Sequence, residues 1–222
     1  MNSTKKTPLI IISIKQNKLD TNCVIEFSDN TNLELSMDLI VKYKFKKGDI
    51  VSEDLYNSLV DENNLMLCKQ TAYKFASYMP RSKAQIIKKL SENNFSKNQI
   101  EQSIDFLERY DLVNDLDYSR KYIQSYLLTK RAGPKKLEQE LLLKGIEKNI
   151  VNEALKQFYP HDKIPEFIEL EINKKKHEVL RKDKNKQYMY ITNYLFNKGF
   201  YLDNLLKEIV KNKLDELNTS EE

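Results

Sequence analysis

The side chains able to do bond chemistry are few and scattered. The chain carries two histidines, His161 and His177, and two cysteines, Cys23 and Cys68. The cysteines lie far apart and show no metal-ligand spacing, so they read as two thiols in a reducing cytoplasm rather than a disulfide or zinc site. Each histidine reads as a surface residue rather than a ligand. Asp115 and Asp117 follow Asn114 and could suggest a cation site. At a junction between helical segments they read instead as carboxylates that cap the next helix and favour its positive end. The sequence holds no glycine-rich phosphate loop, no histidine pair at metal-ligand spacing and no nucleophile elbow. No enzyme activity, metal, cofactor or small-molecule substrate is therefore expected. What remains is 13 tyrosines and 37 lysines and arginines, types that suit contact with another macromolecule. Tyr118, Tyr122 and Tyr126 recur at helical spacing, so packing is their expected role ahead of base stacking.

The elements that must position these residues are mostly helices. Only four glycines and five prolines occur in 222 residues, and they fall between apolar-periodic segments. Helix interiors exclude both, because glycine costs backbone entropy and proline lacks a hydrogen-bond donor. The start of the chain differs. Leu9 to Lys15, Cys23 to Phe27 and Asn32 to Leu35 are short, rich in β-branched residues and separated by the turn-like clusters Asn17–Asn22 and Ser28–Asn30, which predicts a small antiparallel sheet of three strands. A short helix is expected from Ser36 to about Tyr43, a turn at Lys47-Gly48-Asp49, and a further short helix capped by Ser52. No apolar run is long enough to span a membrane, and Leu9–Ile14 is too short for a secretory signal.

Three later stretches align without gaps: Leu90, Phe95, Ile100 and Ile104; Leu141, Ile146, Val151 and Leu155; Leu195, Phe200, Leu205 and Ile209. Asn94, Gly145 or Gly199 precedes the second member of each set, and these types tolerate the left-handed end of a helix. Ser82 with Gln85 and Ser96 with Gln99 form capping boxes, and Gly133-Pro134 opens a helix in the other common way. Gln187 falls where the third unit should have its cap. The predicted fold is mainly α: three tandem three-helix repeats after a small N-terminal antiparallel β-sheet and helix region. The expected boundaries are 1–62, 63–113, 114–160 and 161–222.

The net charge of +4 conceals an alternation. Residues 69–97 carry +6, 98–117 carry −5, 120–148 carry +5, 149–172 carry −3, 173–187 carry +5 and 203–222 carry −3. Basic first and second helices thus alternate with acidic third helices, the footprint of a partner that is nucleic acid or an acidic protein surface. The plainer alternative is a solvated face of mixed ion pairs. The candidate partner contacts are Arg81, Lys88, Lys130, Arg131, Lys135 and Lys136, which flank helix starts in the basic regions.

In order along nearly the whole chain, these residues resemble the regulatory protein RecX family. N-terminal strands lead to Lys46-Lys47-Gly48, then to Ala72–Tyr78 with Arg81-Ser82, to Phe95, and to Leu112-Val113-Asn114-Asp115 with Tyr118. Gly133-Pro134-Lys135-Lys136-Leu137 and Lys144-Gly145-Ile146 follow. The chain departs from the pattern at Gln85, where the family often has an acid, in the third repeat's opening, and in the acidic end Glu221-Glu222. The resemblance implies a regulator that lies along the filament of the RecA recombinase. It would inhibit strand exchange and co-protease activity, and so act in homologous recombination, DNA repair and the SOS response. A helical-repeat protein binding DNA or RNA directly is the alternative, and a scaffold for another helical partner is a third reading.

Overall fold

The computed structural model describes residues 8–16 and 22–219. Most of the Asn17–Asn22 turn and the Glu221-Glu222 tail lie outside the described residues. The chain forms two compact units, Met1–Ser77 with Lys88–Tyr110, and Tyr78–Ile87 with Asp111–Glu222.

The first unit holds the sheet. Strands β1 (Leu9–Gln16), β2 (Asn22–Phe27), β3 (Asn32–Ser36) and β4 (Ile50–Val51) are ordered β3-β2-β1-β4, each antiparallel to its neighbour. Cys23, Ile25 and Phe27 are buried while their neighbours are not, the period of two that a half-buried strand requires. The fourth strand is an addition to the expected three. Two residues are too short to show a period, and Gly48 places them by donating its N–H to the Ile11 carbonyl at 2.8 Å. Ser36 caps helix α1 (Met37–Tyr43), and Lys44 ends it in the left-handed conformation. Ser52 does begin a helix, its hydroxyl accepting from the Leu55 N–H, but that helix is not short. Helix α2 runs unbroken from Glu53 to Tyr78, across the 62/63 position expected as a boundary. No glycine or proline lies between Ser52 and Pro80 to interrupt it. Buried Asn63 ties α2 to the sheet, accepting from the Ser36 N–H and donating to the Glu34 carbonyl, both at 3.1 Å.

Helix α3 (Lys83–Glu92) is followed by α4 (Lys97–Arg109), which carries the full Ser96/Gln99 capping box. Ile100, Ile104 and Leu107 are buried on one face of α4. The second unit continues with α5 (Asp115–Thr129), α6 (Pro134–Leu143) and α7 (Lys148–Phe158). After a 3-10 turn come α8 (Ile164–Lys174), α9 (Lys176–Leu180), α10 (Lys184–Asn197) and α11 (Asn204–Thr219). Repeats two and three each surround their own apolar core, one centred on Ile123, Leu137 and Val151, the other on Ile172, Ile191 and Phe200.

The third repeat departs from the expected register at three places. Its first helix is broken at Lys175 into α8 and α9. Its second opens a turn early, after Asp183, so Gln187 is no cap but a buried side chain bonded to Asn218 and the Lys182 carbonyl. The loop Gly199–Asp203 is longer than its counterparts, with the Asp203 carboxylate accepting from the Leu206 N–H at 2.9 Å. That later start turns α11, so Leu206 and Val210 are buried where Leu205 was expected, and Leu205 is 64% exposed.

Candidate partner-binding surface

The basic segment between α5 and α6 is held by a contact that occurs twice in the second unit. Asn94, Gly145 and Gly199 all adopt positive φ, at 62°, 78° and 84°. At Gly145 a side chain would collide with Ala84 at the start of α3, and Ser82 donates its hydroxyl to the Lys144 carbonyl at 2.7 Å. At Gly199 a side chain would collide with the backbone of Lys136 at the start of α6. There the Gly133 N–H donates to the Lys198 carbonyl at 2.9 Å, and the Lys135 N–H to the Gly199 carbonyl at 3.1 Å. In both cases the C-terminus of one repeat's second helix meets the N-terminus of the preceding repeat's second helix. At the Gly199 contact helix-start N–H groups donate to helix-end carbonyls, at the Gly145 contact a hydroxyl does, and in both the helix dipoles meet head to tail. Asp115 joins the first of these contacts. Instead of capping its own helix it accepts from the Lys83 N–H at 2.8 Å, while Asn114 caps α5 by accepting from Leu116 and Asp117.

Lys130, Arg131, Lys135 and Lys136 therefore sit on a pinned loop and first helical turn, four cations in residues 130–136. Between them the Ala132 carbonyl accepts from the Tyr159 hydroxyl at 2.8 Å in a buried bond. Burial holds that phenol well above the usual tyrosine range. Arg131 reaches Glu171, whose side chain is 2% exposed, at 3.8 Å. Lys198 approaches the same carboxylate at 3.3 Å and the Tyr194 hydroxyl donates to it at 2.5 Å. Burial, and then this bond, push the Tyr194 hydroxyl up. One carboxylate from α8 thus gathers a cation from the α5–α6 loop, a hydroxyl from α10 and the lysine that follows α10.

The remaining cations are placed less tightly. Lys135 pairs with Glu138 at 2.8 Å and Lys136 with Glu140 at 3.2 Å. Both are half-exposed pairs within one helix, worth ~0.5 kcal/mol at most. Lys130 lies over the Tyr126 ring at 5.3 Å. Arg81 is half-buried beside Tyr118, where its charge partly offsets the burial that raises that hydroxyl. The structure thus brings Arg131, Lys135 and Lys136 onto one braced segment, with Lys130 at its edge. Lys88 lies exposed on the part of α3 that belongs to the first unit.

Tyr118 and Tyr122 stack at 6.3 Å, and Tyr126 follows at 5.9 Å. All three pack against the repeat-two core, with Tyr118 buried and the others half-buried. Lys144 lies over Tyr122 at 4.9 Å. The Tyr122 hydroxyl is pushed up to about 12, chiefly by burial and then by the Glu140 carboxylate. A raised tyrosine favours the fold while the unfolded phenol keeps its proton. Stability is therefore expected to be level below pH 10.0 and to fall as pH rises towards about 12. Denaturation midpoints alongside tyrosinate absorbance would check this; full titration of all tyrosines near the ordinary value would refute it. Sequence reasoning missed Glu171, Tyr159, Lys144 and Lys198. The one available signal was that a lysine precedes both of the left-handed glycines that end helices, at Lys144-Gly145 and Lys198-Gly199.

Tandem three-helix repeats joined by these end-to-end contacts, with a braced basic segment, define a helical-repeat protein. Family models agree on the repeats. The first three-helix domain of RecX matches residues 68–107 and the second matches 114–155. Regulatory protein RecX of Clostridioides difficile is 32% identical over 92% of this chain and 95% of its own length. That of Clostridium tetani is 30% identical over 97% of each. Among solved structures, a crystal structure of regulatory protein RecX superposes with a TM-score of 0.75 at 20% identity, covering 92% of this chain and 99% of the other. RecX from Lactobacillus salivarius gives 0.62 at 24% identity, covering 71% and 99%. The chain belongs to the RecX family of regulatory proteins. Among the described residues no helix is long and apolar enough to cross a membrane.

Proposed function

We propose that this chain binds the RecA filament and restrains its recombinase and co-protease activities, with Arg81, Lys88, Lys130, Arg131, Lys135 and Lys136 among its contacts. The observation that carries the reading, beside family membership, is the braced segment 130–136. Its backbone is pinned at Ala132, Gly133 and Lys135, and Arg131 is held by buried Glu171, so less conformational entropy remains to be lost when a partner binds. Repeated units also allow several weak contacts to add along a periodic partner.

Reversing charge at Lys135→Glu and Lys136→Glu together tests it. Both positions lie in the first turn of α6, where acids suit the helix dipole; that gain offsets part of the loss of the two pairs and the new repulsion from Glu138 and Glu140, so stability should fall by about 1 kcal/mol at most. Affinity for RecA filaments is expected to fall by about tenfold or more, mostly through slower association. A variant that binds filaments as the parent does would make the segment an ordinary solvated surface.

A second reading, direct binding of DNA or RNA, draws support from the lysine over the Tyr126 ring. It requires affinity for nucleic acid alone that falls steeply with salt. Weak binding that is flat across a salt series would dispose of it.

A further inference from the structure

We propose that the cleft between the last turn of α5 and the outer side of α8 is a docking site for a protein segment presenting a large apolar side chain next to a carboxylate. The cleft has a volume of about 250 Å³, room for one large side chain rather than a small-molecule ligand. Its walls are Leu127 and Leu128 on α5 and Phe167 and Leu170 on α8. Leu127 and Phe167 are half-buried against the cores of the second unit. Leu128 is 87% exposed and Leu170 36%. A lone exposed leucine means little; two facing each other across a cleft with a built floor form the kind of pocket that anchors an interface.

The rim supplies the polarity. Lys130 and Arg131 line one side, and no carboxylate among the described residues pairs with Lys130, whose ammonium rests over Tyr126. Arg131 is tethered to buried Glu171 yet remains 44% exposed, so its charge is held at the edge and stays available. A carboxylate beside the apolar anchor would complete both cations. Nucleic acid fits less well, since the exposed walls Leu128 and Leu170 are aliphatic and give no ring for a base to stack on. This inference rests on the partner-binding reading of Lys130 and Arg131 and adds the chemistry of what they meet.

The test uses the full chain without RecA, so that the two readings can fail separately. Three short labelled peptides serve as probes: an aspartate-rich sequence with one central phenylalanine, the same with serine replacing the phenylalanine, and the same with lysines replacing the aspartates. Single-stranded oligothymidine is the fourth probe. The first peptide is expected to bind, with amide shifts confined to residues 127–131 and 166–170. The serine peptide should lose about tenfold in affinity and the lysine peptide all of it. Leu128→Ser, at an exposed position that folding does not need, and Arg131→Glu should each weaken the first peptide by about tenfold. Equal binding of the serine peptide, indifference to Leu128→Ser, displacement by oligothymidine, or no binding at millimolar peptide would each overturn the proposal. Intact peptide binding with no RecA binding would instead remove the RecA reading and leave the cleft standing.

Discussion

Gly199→Ala should destabilise the second unit by about 3–5 kcal/mol, among the largest effects of any single methyl group added to this chain. Two costs combine. The position has φ +84°, a conformation that costs an L side chain about 1–2 kcal/mol. The new Cβ would also fall on the backbone nitrogen of Lys136, a group that cannot swing aside because it opens α6. Two further glycines separate these costs. Gly133, with φ −74°, would meet only the collision, against the Gly199 carbonyl. Gly48, with φ +94° and nothing within 4 Å, would meet only the backbone term. Urea midpoints followed by helical circular dichroism should rank Gly199→Ala as most damaging, with Gly48→Ala losing about 1–2 kcal/mol. Equal losses at Gly199 and Gly48 would mean that the end-to-end contact between α10 and α6 yields freely and braces nothing.

Glu171→Ala carries the second large effect. It leaves Arg131, Lys198 and the Tyr194 hydroxyl without their shared acceptor. Breaking a fully buried pair costs about 3–5 kcal/mol, but Arg131 and Lys198 keep 44% and 31% of their side-chain surface in water, so about 2 kcal/mol is expected. Glu171→Gln keeps an acceptor for Tyr194 and should fall between. The distinctive consequence is local. Arginine side-chain NMR should show Arg131 gaining mobility in Glu171→Ala while the backbone amides of Lys135 and Lys136 remain ordered, because they are pinned separately. An Arg131 signal unchanged by the substitution would show that Glu171 does not hold it.

Helix ends were the most legible part of the sequence, because the residue types that end and begin helices act locally. Asn94, Gly145 and Gly199 all take the left-handed conformation, and Ser96 with Gln99 closes the capping box. Long-range effects were not legible. A 26-residue helix α2 shows no clean amphipathic face, since its partners change along its length, so its two halves read as separate elements. The turn of α11 that buries Leu206 rather than Leu205 follows from where Asp203 caps it, a shift that gapless alignment could not register. Asp115 was expected to serve its own helix, but Asn114 does so and frees Asp115 to cap Lys83. Of the candidate surface, the cations flanking helix starts stand in the sequence itself. Glu171, which holds Arg131, was one acid among several in an acidic stretch, and only the fold marks it as buried.

The most direct measurement is ATP hydrolysis by RecA filaments formed on single-stranded DNA, titrated with the full chain, with binding to the same DNA measured without RecA. Dose-dependent loss of hydrolysis at stoichiometric amounts, little binding to naked DNA, and a weaker effect from the Lys135→Glu, Lys136→Glu variant are expected of a filament regulator. Unchanged hydrolysis together with salt-sensitive binding to DNA alone would contradict that reading and assign the basic segment to nucleic acid.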